Sequence, residues 1–381
     1  MPARDLLVAT HTPTLGSGRA LRMYAVARAL ATHKGLDLLY VRFGADEPDE
    51  AFRSIPGLEL HPLTPSRGGR RLLAYALALA RGVPHDWARG VSPELTEQAK
   101  RMVEAMDPDG LVIADGPTAA AALWSMAKRR PVVYNAYNIE SSFRHELRSP
   151  GLLTLAGRRR LGIFERRLLE RSSESWMVSE ADMVLGHELC PKARLRYVPN
   201  VVDVAAIGPI QPIGSEPRAI FVASFAYPPN RNALGFLVEE VFPRVWVELP
   251  EARLAIVGAG LTQPASADPR VETLGFVEDL HGAYSSARCA VVPLLQSGGT
   301  PLKLIEALAH GLPVIATSGA AKGLAIRDGE HCLLADGAEA FSEALVYVLR
   351  HGAPELGRRG RILAEERYSI EALSALLRPP G

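Results

Sequence analysis

The sequence predicts an α/β chain made of two parallel-sheet halves, and three observations predict it. Short apolar runs of strand length alternate with helical stretches along most of the chain. Gly-bearing turns follow an apolar run and open a helix near residues 11–19 and again near 296–301. A Pro/Gly/Ser-rich stretch, Ile207–Pro217, separates one such series from the next and is the best linker candidate. With 381 residues, each half is large enough for its own core.

Composition narrows the partners. Formal charge is +1, from 43 basic and 42 acidic residues, so the chain as a whole has no electrostatic footprint for nucleic acid. Three cysteines, Cys190, Cys289 and Cys332, match neither a disulfide framework nor a metal-ligand spacing and read as small buried hydrophobes. The amino terminus runs straight into a strand-like segment without a signal-peptide core, and no run reaches the length of a membrane span. The expectation is a cytoplasmic chain, soluble or attached to a membrane from one side.

In order, residues 6–10 form a first strand, His11–Gly18 a turn, and about Arg19–Thr32 a helix. Asp37–Phe43 and Leu58–Leu63 continue as strands. Arg70–Arg81 is an apolar helix bracketed by arginines, which could be a core helix with snorkelling ends or could lie on an anionic membrane; the core reading is preferred. Thr96–Met106 and Thr118–Lys128 are helices, and Gly110–Ala114 and Pro131–Asn135 strands. Arg144–Arg171 is a long helical region whose arginines outnumber its acids, read as a solvated face with anionic lipid as the competing partner. Trp176–Ser179 and Arg196–Asp203 are two further short strands. Beyond the linker, Ala219–Val222, Arg253–Gly258, Val271–Gly275, Cys289–Leu295 and Pro313–Thr317 are strands with helices between them. Two such halves would hold a ligand in the cleft between them.

The most informative run is Cys289–Gly311 (CAVVPLLQSGGTPLKLIEALAHG). An apolar strand ends in a Gly-rich turn, and a helix opens with Thr300 as N-cap and Pro301 at its first position, closing at Gly311. A helix N-terminus aimed at the carboxyl edge of a parallel sheet stabilises an anion, so a phosphate fits at Gly298, Gly299 and Thr300. Lys303 can reach the same anion. Glu306 shares its helix face and can accept from vicinal hydroxyls such as a ribose offers. Only six of the 43 basic residues are lysines, which favours a chosen point charge at Lys303. A plain crossover helix with a solvated Lys303–Glu306 pair explains the same residues.

This run resembles the donor-site signature of family-four glycosyltransferases with the GT-B fold. Phe221–Asn230, Leu254–Gly260, Leu274–Asp279, Val178–Asp182, Tyr197–Asp203 and Glu366–Glu371 are similar to further segments of that family, in its order. The resemblance implies two Rossmann-like domains facing an interdomain cleft: an acceptor-side domain over 1–206, a nucleotide-sugar domain over 207–365, and a carboxyl-terminal helix over 366–381 that crosses back. It implies a nucleotide-sugar as co-substrate and no further cofactor. Glu306 would take the ribose, and Lys303 with the Gly299 and Thr300 amides the diphosphate. Gly275, Phe276 and Val277 would frame the base, with Ser224, Asn230 and Arg231 completing the donor site. Gly16, Gly18 and Arg19 would face the diphosphate and acceptor, and Tyr137 and Glu140 the sugar or acceptor.

Three positions depart from the family pattern. Gly298 stands eight before Glu306, where many members have a sugar-binding glutamate; Pro301 replaces an arginine of the nearest subgroup; and Tyr137 replaces a histidine. The implied reaction is transfer with retention, in which Lys303, the helix dipole and Arg19 or Arg231 stabilise charge on the departing diphosphate. No metal-ligand set is evident: Asp115 and Asp182 stand alone, and His310 and His331 lack ligand spacing. Metal-independent donor binding is expected. A non-catalytic nucleotide-sugar-binding subunit, or an epimerase or hydrolase of the same fold, competes with the transferase. The acceptor stays open among polysaccharide, glycolipid and natural product, with contact to an anionic membrane as a further partner.

Overall fold

The computed structural model describes residues 4–42, 44–65, 69–88, 90–141, 152–210, 216–295 and 300–378. It falls into two compact units, Met1–Asn200 with Leu373–Gly381, and Val201–Ala372. The expected turn residues Gly298 and Gly299 lie outside the described residues.

The first unit holds β1 (Asp5–Ala9), β2 (Leu36–Val41), β3 (Leu58–Leu63), β4 (Val112–Asp115), β5 (Val132–Asn135), β6 (Glu174–Met177) and β7 (Leu195–Tyr197). They form one sheet in the order β3-β2-β1-β4-β5-β6-β7, with every pairing parallel. Parallel strands are covered on both faces, which is why β1, β4 and β5 read as continuous apolar runs and are buried throughout. Leu6, Val8, Val112 and Ala114 join Trp87 and Phe164 in one core, the two rings stacked at 5.2 Å. The order reverses between β1 and β4, so the chain leaves these neighbours in opposite directions and opens a crevice at their carboxyl ends.

The second unit repeats this plan with β8 (Arg218–Val222), β9 (Arg253–Val257), β10 (Val271–Gly275), β11 (Cys289–Val292), β12 (Val314–Ala316) and β13 (Leu333–Leu334). Their order is β10-β9-β8-β11-β12-β13, again parallel, with the reversal between β8 and β11. Phe221, Phe225, Ile256, Val291, Leu304, Leu308 and Phe341 fill its core. Val201–Ile210 belongs to this unit: Ile210 is buried and donates its N–H to His310 O, and Arg361 donates to Ile207 O. The three cysteines are buried and free.

Several expected elements shift. The helix expected over Thr118–Lys128 is Gly116–Ala122, after which the chain turns through short i→i−3 and i→i−4 bonds at Leu123 and Met126. Within the arginine-rich stretch the helix is Leu152–Arg171, and residues 142–151 lie outside the description. Many of its described guanidiniums have local partners: Arg166 pairs with Glu170 at 2.7 Å, Arg167 donates to Arg81 O, and Arg171 lies 4.7 Å above the Trp124 ring. The helix Gly69–Ala80 overturns the core reading. Its only buried residue is Ala78, while Leu72, Leu73, Leu77 and Leu79 are exposed.

Candidate functional site

In the second unit the site grows from the two strands that flank the reversal. After β8 the chain runs through Ala223 to Tyr227 into the helix Pro228–Gly235. That loop packs closely on the end of β9 because Gly258 has no side chain. A Cβ there would lie 1.8 Å from Ala223 O, and its φ of 135° already disfavours other residues. Asn230, buried, donates through Nδ2 to Ser224 O at 2.7 Å and fixes the loop. Arg231 donates to Phe225 O at 2.7 Å and Ala226 O at 3.1 Å, so part of its guanidinium braces the same loop.

After β11 the chain enters the helix Leu302–Ala309, which ends at Gly311 with φ 75° as expected. Its start differs. Pro301 is the N-cap, with extended ψ of 106° and no capping side chain, so Thr300 sits one residue before the cap. Lys303, in the first turn, donates Nζ to Asn230 Oδ1 and lies 5.8 Å from the Phe221 ring centre. Two sequence-distant candidates, Asn230 and Lys303, therefore meet at the β8/β11 reversal. Burial lowers the Lys303 amine to about 8 and raises the Glu306 carboxyl to about 7. The Glu306 carboxyl forms no hydrogen bond or ion pair among the described residues, its backbone oxygen alone accepting from His310 N. A half-buried carboxyl and a half-buried amine on one helix face, three residues apart and unpaired with each other, are poised for outside partners.

Gly275 ends β10, an edge strand of the sheet, and Phe276 and Val277 follow it. Gly275 has φ 68°, and its carbonyl accepts from Gly258 N at 2.7 Å. Phe276 is 76% exposed, whereas Val277 packs partly on the core. An exposed ring beside a glycine turn offers a flat apolar face and nearby main-chain groups.

The first unit gathers a second polar group at the carboxyl ends of β1, β4 and β5. Ser17 caps the helix Gly18–Lys34 by accepting from Ala20 N. A Cβ at Gly16 would meet nothing within 4 Å, so this turn faces open space. Arg19 lies 3.8 Å from buried Glu140 and 5.3 Å from the Tyr137 ring centre. Three of the expected residues are thus neighbours.

Asp115, which the sequence left standing alone, is the hub behind them. It accepts from Tyr137 Oη at 2.7 Å and from Asn135 Nδ2 at 2.7 Å, and burial raises its pKa while His11 opposes the rise. Asn135 Oδ1 accepts in turn from Arg22 Nε at 3.0 Å, and Arg22 Nη1 donates to Val198 O and Asn200 Oδ1. Arg22 is 2% exposed, and desolvation lowers its pKa to about 10. Gly116, at φ 80°, makes room for the Tyr137 ring, since a Cβ there would fall 2.5 Å from Cε2. Asp182, also expected alone, accepts from Ile139 N and Ser179 Oγ. Glu165 accepts from Glu140 N and Ser141 N, and burial raises it to about 7.

Four buried polar atoms at or near this hub have no hydrogen-bond partner among the described residues: His11 Nε2, Thr12 Oγ1, Arg22 Nη2 and Asn138 Oδ1. A potential metal trio exists elsewhere, where Asp37, Glu59 and His61 offer atoms within 4.8 Å of one another. Arg4 occupies that cluster, 3.3 Å from Asp37 and 3.2 Å from Glu59.

Two all-parallel units, each with its polar residues collected where strand order reverses, define the GT-B fold of glycosyltransferases. Residues 216–351 match the model of the family described as glycosyl transferases group 1. That match spans most of the second unit, so the chain carries a glycosyltransferase domain there. Phosphatidyl-myo-inositol mannosyltransferase of Mycobacterium leprae is 23% identical over 314 residues, which cover 77% of this chain and 80% of the relative. Sucrose-phosphate synthase from Thermosynechococcus elongatus superposes with a TM-score of 0.71 at 17% identity, over 98% of this chain and 97% of that one. Anabaena HepE, solved in complex with UDP and glucose, gives 0.64 at 14% identity over 98% of each chain. At these identities the solved structures establish the fold.

Proposed function

We propose that the chain moves a sugar from a nucleotide-diphosphate sugar to an acceptor hydroxyl with retention of configuration, without a bound metal. The observation that carries this reading is the pairing of Lys303 with Asn230 beside a Glu306 carboxyl that has no partner among the described residues, at the β8/β11 reversal. Glu306 accepts from the ribose hydroxyls. Lys303 turns its charge to the diphosphate, with the Thr300 region and the helix N-terminus supplying N–H groups. Phe276 and the main chain at Gly275 and Val277 face the base. The solved complex of HepE with UDP and glucose supports a uridine nucleotide as the first donor to try.

The bond between the anomeric carbon and the diphosphate oxygen breaks while the acceptor oxygen bonds to the same face. The acceptor's proton passes to the departing phosphate oxygen. Negative charge grows on the diphosphate, so a fixed cation and helix dipole lower the barrier without reorganising. Arg19, Arg231, Tyr137 and Glu140 are assigned to charge stabilisation and to sugar or acceptor hydroxyls. The unpaired polar atoms of His11, Thr12 and Asn138 suit a hydroxyl-rich acceptor, because each would otherwise stay buried and unsatisfied. The name of the mycobacterial relative supports a phospholipid-borne acceptor and with it a membrane-associated setting. A thermal-shift screen of UDP, GDP, dTDP and ADP tests the donor reading, since a ligand of the folded state raises its melting temperature.

A further inference from the structure

The helix Gly69–Ala80 turns its apolar side outward. Leu72, Leu73, Leu77 and Leu79 are 69%, 62%, 46% and 40% exposed, and the face toward the protein carries only buried Ala78 and half-buried Tyr75 and Ala74. At about 100° per residue the four leucines, with Ala76 and Ala80, cover one continuous arc. A water-facing helix normally shows the reverse, so this arc is a surface awaiting a cover.

Its charges indicate the cover. Arg70 and Arg71 stand exposed at one end and Arg81 at the other, and the helix contains no acidic residue. Arg70 reaches Glu97 only at 3.5 Å with both side chains exposed, a weak contact that another anion can replace. Arg167 donates to Arg81 O and brings one more guanidinium beside the carboxyl end. Apolar side chains flanked by arginines fit the boundary between acyl chains and anionic headgroups.

We propose that this helix docks the protein on an anionic bilayer, with Leu72, Leu73, Leu77 and Leu79 in the acyl boundary and Arg70, Arg71 and Arg81 among the headgroup phosphates. A second copy fits less well, because two copies of this face would set arginines against arginines. Strand β3 delivers the chain to the carboxyl edge of the first sheet shortly before the helix begins, and Arg19, Asp115 and Tyr137 lie at that same edge. The surface thus deepens the reading of a lipid-borne acceptor by naming how such an acceptor is met, and it rests on that reading for its purpose though not for its binding.

The test is sedimentation of the full chain with vesicles of phosphatidylcholine alone and with about one-third phosphatidylglycerol, for the wild type, L72E/L73E and R70Q/R71Q. Far-UV circular dichroism and the nucleotide thermal shift are recorded on the same samples. Expected are co-sedimentation with the anionic vesicles, at least tenfold weaker with phosphatidylcholine, a loss of tenfold or more in L72E/L73E, and a smaller, salt-like loss in R70Q/R71Q. Unchanged folding and nucleotide response in the variants would separate docking from the donor reading. Failure of the wild type to sediment with anionic vesicles, or equal binding by L72E/L73E, overturns the proposal. So does a wild-type dimer in analytical ultracentrifugation that L72E/L73E converts to monomer without any vesicle binding.

Discussion

Tyr137 hands its hydroxyl hydrogen to Asp115 Oδ2 at 2.7 Å, and the same carboxylate takes Asn135 Nδ2 at 2.7 Å. The tyrosine is thereby held by a buried acceptor that has both oxygens engaged. Burial raises Tyr137 well above the ordinary phenol range and Asp115 above the ordinary carboxyl range, so the pair carries a neutral phenol donating to the carboxyl oxygen. An amide at 115 can accept through one oxygen only and turns an N–H₂ toward a donor. Asp115→Asn is expected to cost about 1–3 kcal/mol in the first unfolding transition in urea. Tyr137→Phe removes one hydrogen bond and leaves the ring, and is expected to cost less, about 1 kcal/mol.

Arg22 joins the end of β5 to residues 198–200 through one side chain. Arg22→Ala leaves Asn135 Oδ1 and three further acceptors, Val198 O, Pro199 O and Asn200 Oδ1, without that donor and opens a cavity in a buried site. A loss of about 3 kcal/mol or more in urea denaturation is expected. An Arg22→Lys protein should recover only part of it, because one ammonium cannot span the same fork of acceptors.

Gly258→Ala forces a methyl against Ala223 O at a backbone angle that favours glycine. The loop Ala223–Tyr227 must move, and with it the Asn230 contact to Lys303. The expected result is a drop of about 2 kcal/mol or more in stability. The nucleotide-induced thermal shift should weaken as well. A Gly329→Ala control, also at positive φ but with open space around it, should lose stability without losing the nucleotide response.

Nucleotide affinity should follow a bell in pH. Glu306, raised by burial to about 7, must be ionised to accept from two hydroxyls, so affinity rises as pH passes upward through about 7. Lys303, lowered by burial to about 8, must be charged to face the diphosphate, so affinity falls as pH passes upward through about 8. Titration calorimetry between pH 5.5 and 9.5 should find the maximum between those values. Glu306→Gln should flatten the acid limb and Lys303→Arg the alkaline one.

Much of the fold was legible in the sequence because parallel strands buried on both faces leave continuous apolar runs, as at β1, β4 and β11. Leu58–Leu63 and Val271–Gly275 fall where the pattern puts them. Lys303 and Glu306 were legible for a local reason, their three-residue spacing in a helix that follows a Gly-rich turn. The contact between Lys303 and Asn230 spans 73 residues and needed the fold to appear. So did the Asp115 hub, whose members come from separate strand ends and whose Arg22 sits in an Ala-rich helix face that reads as plain core. The outward leucines of Gly69–Ala80 were illegible because periodicity gives the angle between apolar residues and not which side is covered. The pattern that makes Thr300 the cap requires a helical Pro301, whereas the extended ψ of Pro301 delays the first turn by one residue.

Calorimetric titration of UDP into the wild type and Glu306→Ala at pH 7.5 is the sharpest check on a nucleotide-diphosphate site at Glu306 and Lys303. Saturable one-site binding by the wild type and at least tenfold weaker binding by the folded variant, about 1.4 kcal/mol, are expected. Equal affinity in the two proteins, or no binding of UDP, GDP, dTDP or ADP by the wild type, would contradict that assignment.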